Sequence, residues 1–192
     1  MKIILASQSP ARLALLKTIG IEDVAVIPAD IDETEQKGEK PHHLALRLSK
    51  EKCTKIAISN PDDIVIAADS VICLGTRMLP KALSDDDVRY CMKMLSGKRH
   101  RAYTGVCISK GEETRSKVAM TTIKFKRLTS DEIEEYVATK EGINKAGGYS
   151  IQGYAQCFIP FISGETSNVV GLPLFETKNM LLSLGYKFNR SK

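Results

Sequence analysis

Asp69 stands inside an apolar run, "DDIVIAADSVICLG" at 62–75. A carboxylate there must be paired, hydrogen-bonded, near a metal, or set where a strand meets a cleft. The alternative is a strand-end aspartate that caps a neighbouring turn. Far upstream, "LASQSPARLALL" (5–16) joins an apolar run to Ser7, Ser9, Pro10 and Arg12. Ser9 is a good helix N-cap and Pro10 a good first helical residue, so a helix starts there. A first helical turn has unpaired N–H groups and a positive partial charge, and both favour an anion. The serine hydroxyls add donors, and Arg12 adds a planar fork suited to phosphate. A capped helix carrying a surface arginine fits the same residues.

Other residue types could join this chemistry. Glu33 lies in an acidic loop with Asp30, Asp32 and Glu35. Such a loop is either solvated or shares a hard cation with Asp69, since magnesium prefers oxygen ligands, water and phosphate oxygens. Lys50, Lys52 and Lys55 fall on one helix, and Lys81 follows Pro80. Lysines are ordinarily surface residues, but a proline-stiffened loop can aim Lys81. In "NKAGGYSIQG" (144–153), the glycines permit close backbone approach to a ligand. Gln152 there carries the amide donors and acceptor needed to read a base edge.

The elements that would position these residues follow from pattern. Residues 2–6 and 24–28 read as short strands, with a helix between them that Gly20 stops. Residues 29–40 read as a loop, and Pro41 opens a helix to about Ser59. Residues 62–75 are the strongest strand, turning at Gly75 into "RMLPKAL". Ser84 with Asp87, and Thr129 with Glu132, read as caps of two further helices. Residues 99–109 and 114–127 read as a long hairpin around Gly111. "CFIPFISG" reads as a late strand, and a last helix runs from Pro173 to Gly185. The pattern predicts an α/β chain with a mixed sheet flanked by helices.

Composition narrows the class. A chain of 192 residues with 43% hydrophobic and 27% charged residues suits one domain, 1–192, with a sizeable core. The net charge of +5 fits an anionic partner or an ordinary basic surface. Aromatic content of 6% and the lack of tryptophan argue against a base-stacking platform, hence no nucleic acid partner. Five cysteines without a C-x-x-C pair read as reduced thiols, not a zinc site. The apolar N-terminal run is too short for a signal peptide, and no run is long enough for a membrane span. The expected location is cytoplasmic, with no membrane association.

The segments "LASQSPARLALL", "RLSKEK", "AADSVI", "LPKAL", "SGKRHRAYTGV", "NKAGGYSIQG" and "SNVVGLPL", in this order, resemble the Maf family of nucleoside triphosphate pyrophosphatases. The resemblance runs over essentially the whole chain. It implies a Maf/inosine-triphosphatase-like fold, with an elongated mixed sheet and a central cleft between two lobes. It implies hydrolysis of a nucleoside triphosphate to monophosphate and pyrophosphate, with a divalent cation, Mg²⁺ or Mn²⁺, and it suggests a homodimer. "SIQG" looks like the dTTP/UTP branch, and Arg12, Ser70 and Gln152 fall at that branch's specificity positions. Asp69 falls at the proton acceptor. Ser7, Glu33, Lys52 and Lys81 match positions lining the triphosphate and metal site. Three residues depart from the family pattern. Ala11 replaces the first of two arginines, Ser70 stands where threonine is usual, and Ala82 replaces a common proline.

Ala11 keeps a second reading in view: a nucleotide-binding regulator of cell division with weak or no catalysis. A charge-assisted phosphate contact is worth on the order of 1.5–3 kcal/mol, so its absence bears on rate and affinity more than on reaction type.

Overall fold

The computed structural model describes residues 1–188. Strand β1 (Ile3–Leu5) is three buried apolar residues, and the chain leaves it at Ser7. Helix α1 (Pro10–Thr18) begins as its residues demand: Ser9 is extended and its hydroxyl accepts from the backbone of Arg12. Strand β2 (Val24–Val26) then pairs parallel to β1. Helix α2 (Pro41–Ile58) leads into β3 (Ile64–Leu74), which pairs parallel to the other side of β1.

This arrangement makes β1 a switch point. One crossover goes to its left neighbour and the next to its right. Right-handed crossovers then put the two helices on opposite sheet faces. The packing agrees. Leu15 and Leu16 of α1 share a cluster with Ile3, Leu5, Ile64 and Ile66. Cys53 and Ile56 of α2 pack with Ile4, Ala6, Val65 and Ala67, the alternate residues of the same strands. In open α/β sheets, ligands bind outside the carboxyl end of a strand at such a point.

The rest of the sheet is antiparallel. A two-residue β4 (Arg77–Met78) turns back on the far end of β3. After α3 (Asp85–Leu95), the hairpin of β5 (Arg99–Lys110) and β6 (Glu113–Lys124) adds two long strands beside β3. Helix α4 (Ser130–Ala138) follows, then a 3-10 turn at Tyr154–Phe158 and an edge strand β7 (Phe161–Ser163). Helices α5 (Thr166–Val170) and α6 (Leu174–Ser183) come last. The sheet order is β2-β1-β3-β5-β6-β7, with β4 on the β3 edge.

The long strands run through more than one core. Their amino-terminal β3 half belongs to the α1, α2 and α6 clusters. Their other half packs Ile72, Ala102 and Ile123 against α3, α4 and the aromatic group Phe125, Tyr136, Tyr149 and Phe158. Each fully buried apolar side chain of this size contributes roughly 1.5–3 kcal/mol by removal from water. Helix α2 crosses β5 closely at Gly105, where a Cβ would lie 2.2 Å from the Ala45 carbonyl oxygen. Only glycine admits the helix there.

Most expected elements form, and both helix caps at Ser84 and Thr129 are complete capping boxes. Two segments differ. "CFIPFISG" is not one strand: Cys157 and Phe158 close the 3-10 turn, Pro160 interrupts, and only 161–163 pair. "ETSNVVGL", to which the sequence pattern assigns no element, holds the short helix α5. The return arm after Gly75 pairs only at Arg77 and Met78, although Leu79 still donates to the Ile72 carbonyl.

Candidate active site

Pairing leaves a gap in the β3 edge. Strand β1 ends opposite Ile66, where Ala6 N–H donates to the Ile66 carbonyl, and β4 ends opposite Cys73. Between them lie Asp69 and Ser70, at the end of β1 and beside the first turn of α1. Alternation sends their side chains to opposite sheet faces.

On the α2 face, Asp69 is buried and its carboxylate lies 2.5 Å from the ammonium of Lys52, itself buried on α2. The same ammonium is 2.6 Å from Glu33. Glu33 comes from the loop that precedes α2, and that loop is tied down. Arg47 donates to both carboxylate oxygens of Glu39 at 2.8 Å and to the Thr34 carbonyl at 3.0 Å. The Arg47 fork holds the Glu39 carboxyl down to about 2. Lys55 donates to the Asp30 carbonyl. Burial pushes the Asp69 carboxyl above the usual carboxylate range, against the pull of Lys52 and Arg12.

On the other face, Arg12 is held at three points. Its Nε donates to the Gly171 carbonyl at 2.8 Å, Nη1 to Ser7 Oγ at 3.0 Å, and Nη2 to Ser70 Oγ at 3.3 Å. Ser7 Oγ also accepts from the Ser9 backbone at 3.2 Å. Gly171 adopts φ +126°, and a Cβ there would stand 3.3 Å from Arg12 Nε. Its freedom and its missing side chain are both needed to present that carbonyl. Burial lowers the pKa of the Arg12 guanidinium, while Asp69 and Glu33 oppose that effect.

The support continues inward. Ser70 Oγ lies 2.9 Å from Thr104 Oγ1, and Thr104 donates to the Asn168 carbonyl at 2.8 Å. Asn168 donates to the Ala102 carbonyl and to Thr121 Oγ1. Thr104, Asn168 and Gly171 were not distinguished by sequence reasoning. Their one signal was "SNVVGLPL", where polar residues precede a proline-started helix.

Ser7, Ser9, Arg12, Glu33, Lys52, Asp69 and Ser70 are therefore brought together by contact or by one helix turn. Lys81 and Gln152 are not in polar contact with them, and both are exposed. The chain past β4 runs along the β3 edge and carries Lys81 toward its Ser70 end, where Lys81 bridges Ala146. Gln152 lies in the turn that follows.

Among the described residues, no three His, Cys, Asp or Glu side chains converge as a metal-holding group. Glu33 and Asp69 nonetheless share one cation, the Lys52 ammonium. Two carboxylates converging on one point suit a hard divalent cation that keeps water and phosphate oxygens as its remaining ligands. Among the described residues, no helix is long and apolar enough to cross a membrane.

A switch point that gathers Arg12, Lys52 and Asp69 is the setting in which the chain can be compared with known proteins. The family model "Maf-like protein" matches residues 2–184. The chain belongs to the Maf-like family. It is 54% identical to a nucleoside triphosphate pyrophosphatase of Orientia tsutsugamushi, covering 100% of this chain and 96% of that protein. A protein of the same name from Rickettsia felis is also 54% identical, covering 98% of this Maf-like chain and 96% of that protein. Among solved structures, a nucleoside-triphosphatase / dITP/XTP pyrophosphatase from Mycobacterium abscessus is 16% identical, covers 96% of this chain and 97% of that one, and has a TM-score of 0.45.

Proposed function

We propose that this Maf-like protein hydrolyses nucleoside triphosphates, dTTP and UTP first among them, to the monophosphate and pyrophosphate. The observation that carries this reading is the pairing of buried Asp69 with Lys52, beside Arg12, at the open end of β1. A triphosphate brings several negative charges, and cleavage adds charge to the leaving pyrophosphate. The reaction needs fixed cations and an oriented water.

Arg12 and Lys52 neutralise the phosphates at the mouth of the cleft, and Lys81 reaches them from the β3 edge. The α1 amino terminus and the Ser7 and Ser9 hydroxyls add hydrogen bonds to phosphate oxygens. Asp69 takes the proton of the attacking water. Its raised proton affinity suits a general base better than an exposed aspartate would. Ser70, fixed through Thr104, orients the base, and Gln152 pairs with its edge. Glu33 and Asp69 would hold Mg²⁺ or Mn²⁺, which when bound supplies charge stabilisation at the phosphoryl oxygens.

The test is pyrophosphate release from dTTP, UTP and 7-methyl-GTP with Mg²⁺. Wild-type protein releases it from the pyrimidine nucleotides, and Asp69→Asn falls by on the order of 10²–10⁴. Gln152→Ala narrows the gap between dTTP and 7-methyl-GTP. Tight nucleotide binding with release no faster than Asp69→Asn would replace the enzyme by a nucleotide-binding regulator.

A further inference from the structure

The sheet face that carries Asp69 continues past the amino end of α2. On β5, Arg101 and Arg99 point to this face, two and four residues beyond Tyr103, and both are exposed. Tyr103 and the nearby His42 ring, with centroids 5.7 Å apart, stand between them and the Asp69 rung. Asp69 pairs with Gly105 and Cys73 pairs with Arg101. The two rungs are thus about 13 Å apart at roughly 3.3 Å per residue, farther than one pyrophosphate group spans. The Arg12–Lys52 site and the Arg99–Arg101 end of this face are separate places.

Three observations mark the face as built for an anion. First, Gly75, Arg99, His100, Arg101 and Thr122 line a surface hollow of about 370 Å³ that is open to solvent, within the size range of small-ligand sites. Second, its charge is uncompensated. Arg99 stands directly opposite Lys124 in the β5–β6 ladder. Like charges on one rung are destabilising. Among the described residues, neither arginine nor Lys124 forms an ion pair. Third, one fork is braced. The Arg99 guanidinium lies over the Phe161 ring, 5.2 Å from its centroid, which limits the freedom it would lose on binding.

We infer that this hollow is a second anion site, and that it takes a diphosphate group. Arg99 and Arg101 are two residues apart on one strand face, so their side chains leave the strand about 7 Å apart, and both line the hollow. A guanidinium offers paired N–H donors that match phosphate oxygens. Two guanidinium forks match the charge of a diphosphate better than that of a monoanion. Inorganic pyrophosphate and the terminal phosphates of a nucleotide share this chemistry. The site stands on its own geometry and does not depend on the hydrolysis proposed above.

The test is calorimetric titration with inorganic pyrophosphate at 150 mM NaCl, comparing wild type with the double variant Arg99→Gln, Arg101→Gln. Both side chains are exposed, so the variant should keep the wild-type melting temperature and its basal nucleotide hydrolysis. Pyrophosphate bound in the Arg12–Lys52 cleft contributes equally to both proteins. We expect the variant to lose one binding event per chain, or at least tenfold in its affinity. Titration with the nonhydrolysable triphosphate dUMPNPP, in both proteins, separates free pyrophosphate from nucleotide phosphates as the occupant. Equal pyrophosphate binding by the two proteins overturns the proposal. So does displacement by sulfate at equal concentration, which would make the face a general anion patch.

Discussion

The Lys52 ammonium lies 2.5 Å from the Asp69 carboxylate, and both residues are buried between α2 and β3. Such a pair is costly to break from one side, because the remaining charge is left in a poorly solvated place. Lys52→Met should therefore destabilise the fold by about 3–5 kcal/mol, read by urea unfolding. Replacing both partners, Lys52→Met with Asp69→Leu, should recover most of that loss. Equal stability of Lys52→Met and wild type would contradict the pairing.

Much of this site was legible because its signals are local. Ser9–Pro10 specifies the start of α1 through capping chemistry alone, and Asp69 is conspicuous in its apolar run. Lys52 was placed by family resemblance, since nothing in a lysine's neighbours along a helix tells which strand it faces, whereas the acidic loop of Glu33 left a solvated face and a cation shared with Asp69 both open. The support of Arg12 was legible only as polar residues before a proline-started helix. Its Gly171 partner is 159 positions away, and Thr104 reads as an ordinary strand residue. The 157–164 segment was misread because apolar composition alone does not exclude a 3-10 turn, and Pro160 removes a ladder donor where a strand would need one.

Arg12 spends its three donor groups on Gly171, Ser7 and Ser70. A lysine keeps the charge but lacks the fork. Arg12→Lys should raise KM for dTTP more than it lowers kcat, with kcat/KM down about tenfold or more, since a charge-assisted hydrogen bond is worth roughly 1.5–3 kcal/mol. In the opposite direction, Ala11→Arg adds a cation to the first turn of α1. It should raise kcat/KM by a similar factor, measured as pyrophosphate release under subsaturating dTTP.

Thr104 connects Ser70 to the backbone of Asn168. Thr104→Val preserves shape and removes the hydroxyl, so Ser70 loses the partner that fixes its direction. The expected stability loss is about 1–3 kcal/mol, the cost of leaving buried polar groups unpaired. If Ser70 orients the base, the ratio of kcat/KM for dTTP over 7-methyl-GTP should also fall. Thr104→Ser restores the hydroxyl and should restore the ratio. A merely structural role for Thr104 would change stability and leave the ratio untouched.

His100 supplies a pH dependence of stability away from the cleft. It is buried against Phe125 and Tyr149, its Nε2 is 2.8 Å from the Tyr149 hydroxyl, and its Nδ1 has no partner. Burial lowers its pKa from 6.5 to about 4. In the unfolded chain His100 takes a proton as pH falls below about 6.5. The folded chain resists until about pH 4. Between those values the unfolded state binds more protons, so His100 lowers stability as pH falls through this window, by up to roughly 3 kcal/mol. Asp69 acts in the other sense. Its raised carboxyl costs stability as pH rises above the unfolded carboxylate value. Urea unfolding of wild type and His100→Gln between pH 4 and 7 separates the two. The difference in slope between the proteins belongs to His100, and parallel curves would mean that its imidazole accepts a proton in the fold as readily as in water.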